Sequence, residues 1–163
     1  MADIVEQESL DESEDTQKGK FLTFCIGTEY YGIEIKYVTE IIGLQPITEI
    51  PEMPIYIKGI INLRGKIIPV MDVRLRFRKP SREYNDRTCI VVIEIREVSI
   101  GLIVDTVSEV IAIPDEEIVV PPSVTKEGNR YIKGIGKVGT DVKLLLDSDK
   151  LLNETEVESL GNL

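Results

Sequence analysis

Residues Tyr56 to Phe77 read YIKGIINLRGKIIPVMDVRLRF, and the fold follows from how this stretch divides. Two apolar runs, Tyr56 to Leu63 and Lys66 to Phe77, flank a break at Arg64-Gly65. Both runs are rich in β-branched residues, which suit a pleated, half-buried surface, so the stretch predicts a β-hairpin. Its tip presents Asn62, Leu63 and Arg64. Pro69 has no backbone N–H to give a ladder, which predicts an edge strand or a bulge for the second arm. Packing does not require a cation at such a tip, so the tip is the first candidate for function.

The remainder of the chain limits what this hairpin belongs to. A chain of 163 residues suits one domain or two small ones and buries a sizeable core without staples. Hydrophobic residues at 42% and charged residues at 29% place it among ordinary soluble globular proteins. No apolar run approaches the roughly 20 residues that span a bilayer, and the acidic start does not match a signal peptide, so a cytoplasmic protein is expected. Of the net charge of −10, seven units come from the acids of Met1 to Asp15, a segment without Lys or Arg. Residues 1–19 are therefore expected to form a disordered acidic tail on a nearly neutral body.

Cys25 and Cys89 lie in separate strand-like runs, with no C-x-x-C and no histidine to complete a metal site, and are expected to be buried, inert thiols. A chain without histidine also lacks the usual general base near neutral pH, which weighs against an enzyme. No cofactor is expected.

Before the hairpin, FLTFCI, Gly27-Thr28-Glu29 and YYGIEI predict a strand, a tight turn and a strand. From Ile35 to Ile42, apolar residues recur every three to four positions with Gly43 just beyond, which predicts a short helix with a C-cap. Near the C-terminus, Asp147 or Ser148 is placed to cap one helical segment. Asn153 with Glu156 three residues on signals a second, over 154–163.

Self-comparison is more informative. Phe21 to Ile42 aligns without gaps on Ile90 to Ile111 at an offset of about 69 residues, matching Gly32 to Gly101, Val38 to Val107 and Glu40 to Glu109. YIKGI at Tyr56 to Ile60 recurs at Tyr131 to Ile135, an offset of about 75, and Asp72 falls on Asp147. The chain thus reads as two related β-units, about 21–77 and 90–147, each with enough short strands for a small barrel that protects sheet edges. The fold class is mostly β.

The repeat also accounts for Gly134-Ile-Gly136-Lys-Val-Gly139. A phosphate-cradling G-x-G-x-x-G needs a helix immediately after it, whereas Thr140 to Leu146 aligns with the second arm of the first hairpin, so a turn is expected instead. Arg74, Arg76 and Arg78 would share one face of a strand, because the side-chain period is two. That stripe leaves three readings open: a solvated face, a protein contact, or a nucleic-acid-binding small barrel. The acidic composition and sparse aromatics count against the third.

YGIEI at Tyr31 to Ile35, V-x-E-I at Val38 to Ile41, the opening hairpin, IGLIVDTVSEV at Ile100 to Val110, and YIKGIG with KLLN at Lys150 to Asn153 together resemble the CheW family of bacterial chemotaxis coupling proteins. The resemblance covers about residues 20–153. It implies two intertwined, five-stranded SH3-like barrels without catalytic activity, bridging the cytoplasmic tips of methyl-accepting chemoreceptors to the regulatory domain of the histidine kinase CheA. It implies receptor contact at a groove between the barrels, at positions matching Ile35, Val38, Glu40, Ile41, Asn62, Arg64 and Val107. For the kinase it implies contact through apolar patches near Gly59 and Val124, the latter standing where some relatives carry an aromatic. Bulge geometry is the competing explanation for Gly59, and core packing for the apolar receptor positions.

Overall fold

The computed structural model describes residues 18–121 and 130–162. Two sheets dominate. One has six strands in the order β8-β1-β2-β11-β10-β9 and the other five in the order β3-β6-β7-β5-β4. The strands are β1 (Lys20–Ile26), β2 (Glu29–Glu34), β3 (Val38–Gly43), β4 (Ile57–Leu63), β5 (Lys66–Asp72), β6 (Cys89–Ile95), β7 (Val98–Val104), β8 (Thr106–Ala112), β9 (Ile118–Val119), β10 (Ile132–Val138) and β11 (Asp141–Leu146).

The sequence repeat is also a structural one, and the two copies exchange strands. β3 of the first copy pairs with β6 of the second, setting Val38 against Ile93 and Ile42 against Ile90. Reciprocally, β8 pairs with β1, setting Val107 against Phe24 and Ile111 against Phe21. Two parallel contacts are related in the same way, Val70 to Gly101 and Leu145 to Gly32. Each copy therefore completes the other's sheet, and the two lobes are intertwined.

Burial follows from this exchange. The largest apolar cluster draws Phe24, Tyr31 and Ile33 from one copy and Ile93, Leu102 and Leu146 from the other, so it is shared between the lobes. Smaller clusters fill each sheet, around Ile61, Ile68, Val70 and Ile90 in one and around Phe21, Ile113 and Leu145 in the other. A row of rings, Phe24, Tyr31, Phe77 and Tyr131, crosses the shared core at centroid spacings of 5.8, 5.3 and 5.2 Å.

Two helices complete the described residues: α1 (Val73–Arg76) and α2 (Glu154–Gly161). Asn153 accepts from the Glu156 N–H while Glu156 accepts from the Asn153 N–H, the capping box expected of that spacing. Val157 and Leu160 bury the apolar face of α2 in the shared core. Asp147 caps a 3-10 turn at Ser148–Lys150, as anticipated.

Four expectations need correction. Ile35 to Ile42 is not a helix: only a 3-10 turn, Ile35–Tyr37, precedes strand β3. Val38, Thr39, Ile41 and Ile42 are all β-branched, and β6 offers a ladder that an isolated turn could not match. Pro69 lies in neither an edge strand nor the bulge of its hairpin. β5 sits between β4 and β7, the parallel ladder to β7 starts one residue later at Val70, and the bulge falls between Ile57 and Gly59. The second arm ends at Asp72, whose carboxylate accepts from the Leu75 N–H and starts α1. Cys25 and Cys89 are half-buried rather than buried.

Candidate functional site

The first hairpin turns through Arg64 and Gly65 at φ of 54° and 85°. The Asn62 side chain accepts from the Gly65 N–H at 2.8 Å, so the part of Asn62 fixed by the fold is the turn itself. Arg64 stands clear of the hairpin with 71% of its side chain exposed, and its Nη2 donates to Glu40 Oε1 at 2.5 Å. Glu40 belongs to β3 and the tip joins β4 to β5, so this ion pair spans the two edges of the five-stranded sheet. Exposure makes such a pair a weak stabiliser. A non-glycine residue at positive φ also carries a backbone cost that the second hairpin avoids, where Gly139 takes the equivalent place at φ 61°.

The remaining sites predicted from sequence divide. Val38 and Ile35, with Val107 in the other copy, are half-buried against the shared core. Val38 and Val107 occupy reciprocal positions beside bulges in β3 and β8. Ile41 does not join Glu40, because a strand turns successive side chains to opposite faces: Ile42 packs inward while Ile41 is 44% exposed on the outside. Gly59 is buried at the bulge with φ 148°, and a Cβ there would lie 2.1 Å from the Thr48 carbonyl oxygen. Its role here is close approach to the Ile47-Thr48 segment. Val124 lies outside the described residues.

The arginine stripe does not exist as a surface. Helix α1 turns Arg74 and Arg76 in different directions. Arg74 meets Asp105 through Nε at 2.8 Å and Nη2 at 2.5 Å, and Asp105 also accepts from the Gly27 N–H at 2.7 Å and from Arg82 at 3.1 Å. Burial pushes the Asp105 carboxyl up, but the bonds from Arg74 and Gly27 outweigh it and hold the group below the ordinary carboxylate range. Arg76 is buried, donating to the Leu151 carbonyl at 2.7 Å and to Glu156 at 3.1 Å, with its guanidinium 4.2 Å from the Tyr56 ring centroid. Two of the three arginines are thus internal braces, and the nucleic-acid reading loses its footprint.

Sequence reasoning missed the Asp105 cluster and a third brace, in which Tyr84 donates to Asp72 at 2.7 Å. Burial and that carboxylate raise the Tyr84 pKa well above its ordinary value, keeping the hydroxyl a donor. The signal was available: Asp72 aligns with Asp147, and the capping read at Asp147 applies equally at Asp72.

A duplicated, strand-exchanged β-scaffold with one unduplicated polar tip belongs to the class of interaction modules. Comparison with known proteins is specific. Residues 20–156 match the family model of the CheW-like domain. The chain is 35% identical over 150 residues to the chemotaxis protein CheW of Klebsiella aerogenes, covering 91% of this chain and 90% of that protein. It is 37% identical over 149 residues to CheW of Treponema pallidum, covering 88% of each. The crystal structure of the scaffolding protein TtCheW from Thermoanaerobacter tengcongensis superposes with a TM-score of 0.79 at 39% identity, covering 85% of this chain and 96% of that one. The chain belongs to the CheW family, and is a scaffold of chemotaxis signalling. Among the described residues, no helix is long and apolar enough to cross a membrane.

Proposed function

We propose that this chain is a non-enzymatic, cytoplasmic coupler that joins methyl-accepting chemoreceptors to the histidine kinase CheA, and that its receptor contact centres on the first hairpin tip. One observation carries the reading: the scaffold is duplicated down to its bulges and parallel contacts, whereas Asn62-Leu63-Arg64 is not repeated at Lys137-Val138-Gly139. Shared physics explains what the hairpins have in common. A partner explains an exposed arginine retained at a backbone position where glycine is cheaper.

Arg64, with Glu40 beside it, presents a forked donor set suited to a receptor carboxylate. The half-buried Val38, Ile35 and Val107 would supply the apolar seam on which a receptor helix lies, and Asn62 the polar margin. Ile41 faces away from the Arg64–Glu40 pair and would form a second, outer contact. For the kinase, exposed apolar side chains stand on both hairpins, Ile67 at 46% and Val142 at 52%, related by the repeat. An isolated apolar residue on a surface means little, but a pair at equivalent places suits end-to-end joining of similar barrels. Gly59 shapes the neighbouring 47–48 segment, and Val124 belongs to the connector before the second hairpin.

The test is reconstitution. Chain, receptor cytoplasmic fragment and CheA should co-elute as one complex in size-exclusion chromatography, with receptor and kinase failing to associate at the same concentrations without the chain. Co-elution independent of the chain would defeat the coupling role.

A further inference from the structure

One charge remains outside the scaffold, the tip and the braces. Lys143, in β11, is 5% exposed, yet among the described residues its ammonium joins no hydrogen bond and no ion pair. What it meets is the face of Tyr30, with Nζ 3.8 Å from the ring centroid. Asp141, two positions back on the same face of the strand, is exposed and forms no pair with it. Every fully buried side-chain nitrogen and oxygen of the described residues has a partner, so the Lys143 nitrogen, which has none, touches solvent. Tyr30, 39% exposed, stands at that opening. Lys143 lies beside Tyr30, Tyr30 beside Cys25, and Cys25 beside Thr106, the first residue of β8, so the opening is near the strand ends along one margin of the six-stranded sheet.

The fold does not need a charge there. At the repeat offsets of about 75 and 69 residues, the equivalent positions in the other copy are Ile61, Ile68 and Ser99, with Ile61 facing Ile68 and both buried. Here Gly136 faces Lys143, and Tyr30 lies on its other side. A buried ammonium without a counter-charge or a hydrogen bond costs stability that isoleucine does not. We propose that Lys143 and Tyr30 form a carboxylate-binding contact whose occupant is an acidic side chain of the histidine kinase, the identity of that partner resting on the coupling role proposed above. The ammonium has three donors free for a carboxylate, and the aliphatic stem of a glutamate fits the face of Tyr30. A free anion is a poor occupant, because a chain of net charge −10 repels it and a single cation holds it weakly. A side chain delivered by a docked protein does not depend on that field. The receptor contact is assigned to the tip on the five-stranded sheet, whereas Lys143 follows Val142, whose exposed side chain belongs to the proposed end-to-end contact with the kinase.

The experiment titrates CheA, and separately a receptor cytoplasmic fragment, into the full-length protein and its variants Lys143→Ile and Lys143→Met by calorimetry. Isoleucine is the residue of the other copy, and methionine keeps an unbranched stem without the charge; if one variant fails to fold, the other decides. Both should melt at or above the wild-type temperature, which tests the unpartnered charge without any partner present. Both should bind CheA at least about tenfold more weakly, the worth of one charge-assisted bond, while the affinity for the receptor fragment holds. Weaker binding by a protein no less stable than its parent is not the product of a structural role. CheA affinity within about twofold of wild type, an equal loss against the receptor fragment, or a lowered melting temperature in both variants would each overturn the proposal. Failure of the wild-type protein to bind CheA at all is a separate result: it removes the coupling role, and with it the occupant named here.

Discussion

Replacing Arg76 by leucine should destabilise the protein by about 3–4 kcal/mol. The guanidinium joins helix α1 to the C-terminal helix through the Leu151 carbonyl at 2.7 Å and Glu156 at 3.1 Å, over the Tyr56 ring at 4.2 Å. A buried, charge-assisted bond to a carbonyl contributes roughly 1.5–3 kcal/mol, and its loss leaves that carbonyl without its donor. The cation over Tyr56, desolvated, adds about 1–2 kcal/mol. The Glu156 contact adds less, because its carboxylate also accepts from the Asn153 N–H at 2.9 Å and is not orphaned. Leucine returns part of the loss by filling the space. Urea denaturation followed by circular dichroism should show the midpoint fall by about 1.5–2 M, taking a slope near 2 kcal/mol/M. Glu156→Gln should cost under about 1 kcal/mol. A midpoint shift for Arg76→Leu below ~0.5 M would refute the reasoning, since Arg76 would then be a surface cation resting on a wall rather than a brace.

Gly59→Ala should cost about 3 kcal/mol or more, because the new Cβ meets the Thr48 oxygen at 2.1 Å on a backbone at φ 148°; the same urea assay reads it. Arg96→Gly should stabilise the protein by about 0.5–1 kcal/mol, since Arg96 turns the β6–β7 hairpin at φ 48° where the related turn has Gly27; calorimetry should show a melting rise of ~1–4 °C. Asp105→Asn should cost about 2 kcal/mol at neutral pH, with Arg74 and Arg82 losing their partner. Its carboxyl is held below the unfolded value of about 3.9, so the contribution is complete above that pH and is lost as pH falls through the folded value. Wild-type and variant stabilities should therefore run parallel above pH ~5 and converge in acid. Ile41→Asp, on the outer face of β3, should leave the melting temperature nearly unchanged and weaken receptor binding severalfold in titration calorimetry, the sign of a contact rather than a core residue.

Much of the architecture is legible in the chain because the repeat is internal evidence. YIKGI at Tyr56 and Tyr131 marks both hairpins, and the offset alignment of Phe21 and Ile90 marks the strands that exchange. The exchange itself is not legible: nothing local distinguishes Val38 meeting Ile93 from Val38 meeting a strand of its own copy, since both partners are buried β-branched or aromatic runs. The misreading of Ile35 to Ile42 has a physical cause. Over eight residues, apolar positions at 35, 38, 41 and 42 satisfy a helical period, and β3 alternates in burial but not in residue type, because Ile41 takes an exposed place and Glu40 a half-buried one. The arginine stripe failed for a related reason: a four-residue helix started by Asp72 is too short to show periodicity, yet it turns Arg74 and Arg76 inward. At the tip, residue types alone singled out Arg64 as a candidate, because a cation between two apolar arms has few other roles, whereas its pair with Glu40 across the sheet needed the fold. The separation of Ile41 from Glu40 needed the strand.

The most direct measurement is a graft. Arg64 and Gly139 hold similar backbone angles, φ 54° and 61°, so the tip Asn62-Leu63-Arg64 can be exchanged for the Lys-Val-Gly of the second hairpin without asking the turn for a new conformation. Calorimetric titration of a receptor cytoplasmic fragment should then show binding reduced by at least an order of magnitude, about 1.4 kcal/mol, with the melting temperature and CheA binding retained. Receptor affinity equal to that of the parent, in a variant equally well folded, would place the receptor contact elsewhere on the scaffold.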